Sequence, residues 1–239
     1  MAHFFRAVLD FISPPLCHLC RSYISDAGEL HICPACRERL PPVLSPLCNV
    51  CGIPFVGAGA DHTCGDCLTD RPYYDSARAA LLYDGAARDL IHSFKYNNRT
   101  HLRRPLALLS LEHLAPFLTG RASELIVPVP LHRNRLRSRG FNQSVLLGAL
   151  FSERLSIPML KDGLIRIRKT TPQVDLSAVE RKQNVKGAFS VKFPELVQGK
   201  RILLIDDVMT TGSTMNECAK VLKKAGAEVV AAAVVARAA

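Results

Sequence analysis

Aromatic side chains are scarce in this chain: Phe, Tyr and Trp make up 6% of its 239 residues, and tryptophan is absent. A protein that grips single-stranded nucleic acid by stacking bases on rings would have little material to do it with. Long apolar runs are missing too. No uncharged stretch approaches the roughly 20 residues that span a bilayer, which argues against membrane insertion. Residues 1–16 are apolar but carry Arg6 and Asp10 and lack an Ala-x-Ala cleavage site, so no secretory signal is expected. Residues 3–12 are expected to form a short amphipathic helix instead. The setting is then cytoplasmic, where cysteines bind metal rather than form disulfides. Negative charge is in the minority, with 21 Asp and Glu against 31 Lys and Arg, a net charge of +10 and a pI of about 9.3. Such a basic chain calls for an anionic partner, either a phosphate-rich small molecule or nucleic acid.

What is abundant is cysteine, and nearly all of it is in one place. Eight of nine cysteines fall in C-x-x-C pairs: Cys17/Cys20, Cys33/Cys36, Cys48/Cys51 and Cys64/Cys67. Twelve residues separate the two pairs of each half, and the whole pattern recurs after 31 residues. That is an internal duplication of a small module. Each pair presents two sulfurs to one ion, and two pairs close a tetrahedral Cys₄ site of the structural kind. Two structural Zn²⁺ ions are expected, with the pairing either sequential or interleaved. The module has little apolar core and would need its metal to fold. His18, His31 and His62 are expected at the surface, since the sulfurs already suffice. Gly52 and its neighbouring glycines and prolines fit knuckles and turns.

The rest of the chain alternates strand and helix patterns, as in α/β proteins. Residues 73–83 look extended, residues 86–94 and 102–114 helical, and residues 125–130 a buried strand. An arginine-rich loop is expected at residues 131–140, followed by a helix over 142–155. Residues 159–193 open like a strand with one wet face and continue as a long mobile loop. The organising stretch is residues 202–214. Ile202, Leu203, Leu204 and Ile205 read as a strand buried on both faces. Asp206 and Asp207 follow at its C-terminal end, where open α/β sheets bind ligands. A turn around Gly212 then leads into a helix over 213–225, whose N-terminus suits a phosphate. A plain strand–turn–helix with Thr214 and Glu217 as a capping box would explain the turn, but not two adjacent carboxylates. Cys218 is expected to be a small core residue, and a last strand to run over 228–235.

Residues 202–214 resemble, along their whole length, the signature of type I phosphoribosyltransferases. The resemblance implies their fold, a mainly parallel sheet flanked by helices, for residues 71–239, with the zinc module in residues 1–70. It implies that Asp206 and Asp207 hold the ribose of 5-phosphoribosyl 1-diphosphate (PRPP) and serve as the catalytic pair. Thr210, Thr211, Gly212, Ser213 and Thr214 would hold its 5′-phosphate. Val129, Pro130 and Leu131, with Arg139, would hold the pyrophosphate, because the family's pyrophosphate loop stands in this position. Mg²⁺ would accompany PRPP.

The words Val127-Pro128-Val129-Pro130-Leu131 and Arg139-Gly140-Phe141-Asn142-Gln143 carry the match further. Together with the eight cysteines they make the chain similar to ComF/GntX-type proteins, which join a double zinc ribbon to a phosphoribosyltransferase-like domain. Arg166, Arg168, Gln173, Arg181 and Asn184 match positions of a flexible loop in that family. The resemblance implies a glycosyltransferase of the pentosyl-transfer class that displaces pyrophosphate from PRPP. Thr210 stands where purine-salvage relatives carry an aspartate base, which argues against a purine acceptor. Two other readings follow from the same resemblance. One is a competence or DNA-uptake accessory that binds single-stranded DNA. The other is a non-catalytic PRPP sensor with a protein partner on the zinc ribbons.

Overall fold

Alternate residues of one strand divide the molecule in two. The computed structural model describes residues 14–170 and 177–238. Within β5 (Arg201–Met209), Leu203 and Ile205 enter one apolar cluster, while Ile202 and Leu204 enter another. The strand therefore buries both faces, which is why it reads as a continuous apolar run. It pairs in parallel with β2 (Leu125–Pro128) on one side and β6 (Val229–Arg237) on the other. Beyond β6 lies β1 (Ser76–Leu82), also parallel, so the sheet runs β1-β6-β5-β2. On one face pack α3 (Gly85–Tyr96), α4 (Arg103–Thr119) and α6 (Gln143–Leu155). On the other packs α9 (Ser213–Lys224), through Met215, Cys218, Ala219 and Leu222.

Several expectations are corrected. The acid pair lies inside β5 rather than at its end, because β6 pairs onward from Asp206↔Val234 to Met209↔Arg237. Helix α4 continues past Pro116, since Phe117 and Leu118 still have core to pack against. Residues 131–140 hold a helix, α5 (Arg133–Arg139), where a loop was expected. His132 caps it by accepting from the Asn134 N–H at 3.3 Å, and Gly140 ends it at φ 81°. Alternate arginines on a helix point to different sides, so Arg133, Arg135, Arg137 and Arg139 do not form a one-sided comb.

The expected mobile loop also contains structure. β3 (Leu164–Arg166) and β4 (Phe189–Val191) form an antiparallel pair, and α7 (Ala178–Val185) starts at a Ser177–Glu180 capping box. A short helix, α8 (Pro194–Val197), then leads to β5. Gln173 and the expected N-terminal helix lie outside the described residues.

The cysteine module is two copies of one unit. Each second knuckle opens a short helix, α1 (Pro34–Arg37) and α2 (Gly65–Thr69). The bridge Leu16↔Tyr23 recurs as Leu47↔Pro54. The first copy packs on α4 and α6, with Arg37 paired to Glu112 and Glu29 to both Arg104 and Arg154. Its Cys17, Ile24, Ile32, Cys36 and Leu40 join the same apolar cluster as those helices. The module thus borrows its core from the α/β layers. The connection between the copies bonds to the outer edge of β1, through Val43 N–H to Ala80 O at 3.0 Å and Leu82 N–H to Pro41 O at 2.9 Å. Covering an edge strand this way removes a site for unwanted pairing.

Candidate functional site

The carboxylates of Asp206 and Asp207 face a cavity of about 450 Å³ at the C-terminal end of the sheet. Lys95, at the end of α3, reaches Asp207 at 2.9 Å, and both side chains are largely buried. Burial works against the lysine charge, yet the Asp207 carboxylate outweighs it and holds Lys95 above its ordinary value. The second oxygen, Asp207 Oδ2, is buried with no hydrogen-bond partner. Asp206 accepts from the Ser144 hydroxyl at 2.8 Å and from the Asp207 N–H at 2.9 Å. Burial and the neighbouring carboxylate nevertheless push it up to about 7. Two adjacent acids, one of them paired to a lysine through one oxygen and left with its other oxygen buried and unsatisfied, are a charge arrangement that a ligand can complete.

Cations ring the same cavity. Arg88, Arg135, Arg139, Arg166 and Arg181 line it together with Val129, Pro130 and Leu131. Arg139 is oriented by Gln143 at 2.7 Å and lies over the Tyr96 ring at 5.2 Å. Arg166 packs over Phe189 at 5.1 Å and bonds Thr170. Burial draws its guanidinium down, and Arg135 adds to the effect. Asn142 ties the neighbouring loop in place by donating to Val129 O at 3.0 Å.

The turn after β5 splits the expected phosphate residues. Thr210 and Thr214 line the acid-pair cavity. Thr211, Gly212 and Ser213 line a neighbouring cleft against the second cysteine unit. Thr211 and Ser213 share a hydroxyl contact at 2.8 Å. Gly212 has φ 77°, and a Cβ there would lie 2.6 Å from the end of Met209, so the turn admits only glycine without rearrangement. Gly212 also caps α9, and no Thr214–Glu217 capping box forms. Glu217 instead accepts from the Gly187 N–H at 2.7 Å. Arg168 lines neither space and donates to Asn184 O at 3.0 Å and Lys186 O at 2.7 Å, tying the end of the hairpin to α7. Lys95, Ser144, Arg88 and Tyr96 belong to the site but were not singled out in the sequence as its members. The local signal that could have found them is the basic cluster Lys95-Tyr96-Asn97-Asn98-Arg99, which the sequence alone reads either as a solvated face or as the border of an anion site.

The eight knuckle cysteines gather as Cys17/Cys20/Cys33/Cys36 and Cys48/Cys51/Cys64/Cys67, with the sulfurs of each set within 4.8 Å of one another. The pairing is therefore sequential. Four thiols at that spacing fit a tetrahedral structural zinc site and leave no position for water. Arg237, 5% exposed at the end of β6, donates to Cys51 O at 2.8 Å and lies 3.9 Å from its sulfur.

Residues 8–68 match the double zinc ribbon domain, and residues 133–239 the phosphoribosyl transferase domain. DNA utilization protein YhgH of Escherichia coli is 37% identical over 91% of this chain and 94% of its own length. The chain belongs to the ComF-type family. Competence protein F of Haemophilus influenzae is 39% identical over 68% of this chain and 73% of that protein. Competence protein ComFC of Streptococcus pneumoniae is 30% identical over 64% of each. Among solved structures, the glutamine PRPP amidotransferase of B. subtilis is 21% identical with a TM-score of 0.37 over 60% of this chain and 30% of that one. The ComF-type chain thus joins a double zinc ribbon to an α/β phosphoribosyltransferase domain. Among its described residues no helix is long and apolar enough to cross a membrane.

Proposed function

We propose that this protein binds PRPP with Mg²⁺ and transfers its phosphoribosyl group to an acceptor, releasing pyrophosphate. The observation that carries the reading is the acid pair at the C-terminal end of a parallel sheet, with Lys95 on Asp207 and arginines around the cavity. Residues 71–239 form the transferase unit and residues 1–70 the ribbon unit. Asp206 and Asp207 accept from the ribose hydroxyls and stand beside the positive charge that builds on the ring as the bond to pyrophosphate breaks. The turn from Thr210 to Thr214 holds the 5′-phosphate, so that binding energy is spent on orientation. Val129, Pro130 and Leu131 with Arg139 take the pyrophosphate, for which a guanidinium fork is well shaped. Arg166 and Arg181 approach from the hairpin and α7, the segment that closes over the substrate and excludes water. The Asp206 and Asp207 carboxylates suit Mg²⁺, a hard cation that takes few carboxylates plus substrate phosphates and would neutralise charge on the leaving group.

Calorimetric titration with Mg²⁺–PRPP tests this. Asp206→Asn/Asp207→Asn is expected to weaken binding at least roughly a hundredfold, because charge-assisted hydrogen bonds are lost. Unchanged affinity would sink the reading. The pH dependence gives a second handle. Between its ordinary 3.8 and about 7, folded Asp206 keeps a proton that the unfolded chain has lost. Its contribution to stability therefore falls as pH rises through that window. Ligand binding needs the ionised form, so affinity is expected to rise about tenfold from pH 6 to pH 8. In Asp206→Asn this part of the profile should be flat.

A second reading has its own observation. Helix α5 buries none of its side chains and carries four arginines, of which Arg139 lies over the exposed ring of Tyr96. In this reading single-stranded DNA runs along the side of the helix that carries Arg135 and Arg139, next to Lys95 and Tyr96, in keeping with the names of the relatives. Affinity would then fall steeply with salt. Binding that is absent, or flat in salt, removes this reading.

A further inference from the structure

The turn from β5 into α9 is backed by protein from outside the α/β layers. Thr211, Gly212 and Ser213 line a cleft of about 430 Å³, and Cys51, Cys64 and Cys67 of the second ribbon line it too. The segment that leaves this ribbon carries the contact. Tyr74, 4% exposed, joins the apolar cluster that holds Cys48, Cys51 and Cys67. Its hydroxyl lies 3.2 Å from the point where Gly212 would carry a Cβ. Tyr73 N–H donates to Asn216 Oδ1, near the start of α9, at 2.6 Å. Asp70, directly after α2, pairs with Lys182 on α7, and Glu217 on α9 accepts from Gly187 just beyond α7. The second ribbon therefore reaches the turn, the helix that follows it and the segment that carries Arg181. Residues 14–40, which include the first ribbon, line neither this cleft nor the acid-pair cavity.

A glycine turn has more conformational freedom to lose than any other, so what stands behind it decides how often it holds one shape. Here the backing belongs to a unit whose own fold needs its thiolates on a metal. We propose that the second ribbon positions the turn that takes the 5′-phosphate, through Tyr74 and through the Tyr73–Asn216 hydrogen bond. The inference rests on the PRPP reading above and adds to it a positioning role for residues 48–74. Tyr74 backs the turn at Gly212, and Asn216 ties the end of the ribbon unit to α9. When the metal leaves, both lose their hold and the turn samples other shapes. A turn in its binding shape about a tenth of the time binds its ligand about tenfold more weakly. Linkage then runs both ways. A ligand on the turn strengthens the hold of Cys48, Cys51, Cys64 and Cys67 on their ion by the same factor. The first ribbon, docked on α4 and α6, takes no part.

The test uses the full-length, zinc-loaded chain and a zinc-selective chelator. Released thiols are alkylated and read by mass spectrometry, which tells the two ribbons apart. Saturating Mg²⁺–PRPP is expected to raise the chelator needed to strip the second ribbon by about tenfold and to leave the first unchanged. Mg²⁺–pyrophosphate, which lacks the 5′-phosphate, should protect neither. Tyr74→Leu/Asn216→Ala keeps every cysteine and removes both connections. It should lose the protection and bind Mg²⁺–PRPP about tenfold more weakly, with Mg²⁺–pyrophosphate affinity within about twofold of wild type. A role in stability alone would move both ligands or neither. The wild-type measurement decides even where the variant does not fold. Three results would overturn the proposal: equal protection of both ribbons, protection by pyrophosphate as large as by PRPP, or a folded variant that weakens both ligands alike. Wild-type protein that binds neither Mg²⁺–PRPP nor Mg²⁺–pyrophosphate overturns the PRPP reading and this inference with it. Protein that binds Mg²⁺–PRPP without protecting the second ribbon overturns only this inference.

Discussion

The two zinc ribbons are built alike and used differently. Arg21 in the first and Gly52 in the second occupy equivalent places 31 residues apart, and both take a left-handed backbone, at φ 64° and 69°. In the first ribbon the position is exposed and tolerates a long side chain. In the second, a Cβ would lie 2.4 Å from the carbonyl oxygen of Ala77 on β1. The knuckle itself therefore does not demand glycine. The close approach of the sheet does, and that approach also places the Ala77 N–H 2.6 Å from Val50 O. The first ribbon instead meets α4 and α6 through half-exposed ion pairs and an apolar patch. Duplication supplied two metal-built units, and among the described residues it is the second that backbone contact and a buried arginine lock to the strands that carry the site.

The sharpest way to break this comparison is to give both positions the same side chain. Gly52→Ala combines left-handed strain with overpacking against backbone, about 3 kcal/mol in all. At this chain length that lowers Tm by roughly 6–12 °C. Arg21→Ala keeps the strain already present and should leave Tm nearly unchanged. Equal shifts in thermal melts would mean that the ribbons are not docked differently.

Arg237 offers the next contrast. A zinc ion with four thiolates carries net negative charge, and Arg237 is the buried cation that touches a Cys51 group and its sulfur. Losing such a partner typically costs 10–100-fold in metal affinity. Arg237→Met should therefore release one zinc per chain about that much faster to a chelator, while the ion of the first ribbon leaves at the wild-type rate. Uniform release of both ions would remove the assigned role. Arg237→Lys separates charge from fork geometry, and an intermediate rate is expected.

The smallest effect belongs to the first ribbon. Glu29 bridges Arg104 and Arg154, but all three side chains are about half exposed. Water and salt screen such pairs. Glu29→Ala should shift Tm by no more than about 1–2 °C, less still at high salt. A shift comparable to that of Gly52→Ala would show that the polar seam, rather than the apolar patch beneath it, holds this ribbon.

Much of the site was legible in the chain because its signals are local. Four aliphatics in a row, two aspartates and a glycine turn specify a buried strand and a left-handed turn without help from elsewhere. C-x-x-C spacing does the same for a metal knuckle. The misses are of another kind. Helix α5 begins at a histidine cap that is unusual in composition, so a run of arginines looked like loop. Ile165 is exposed and Arg166 is half-buried, the reverse of what hydropathy assigns, because Arg166 faces the cavity that holds Asp206 and Asp207. Lys95 could be placed near an anion but not against Asp207, since α3 and β5 are more than a hundred residues apart in the chain.

By itself, the sequence determined the buried strand, the duplicated cysteine knuckles, the acid pair and the glycine turn, because each rests on near neighbours in the chain. The tertiary structure decided which knuckles share a metal, which cations face the carboxylates, how the turn divides its residues between two spaces, and why Gly52 is glycine. Those outcomes depend on the distance between elements that only packing brings together.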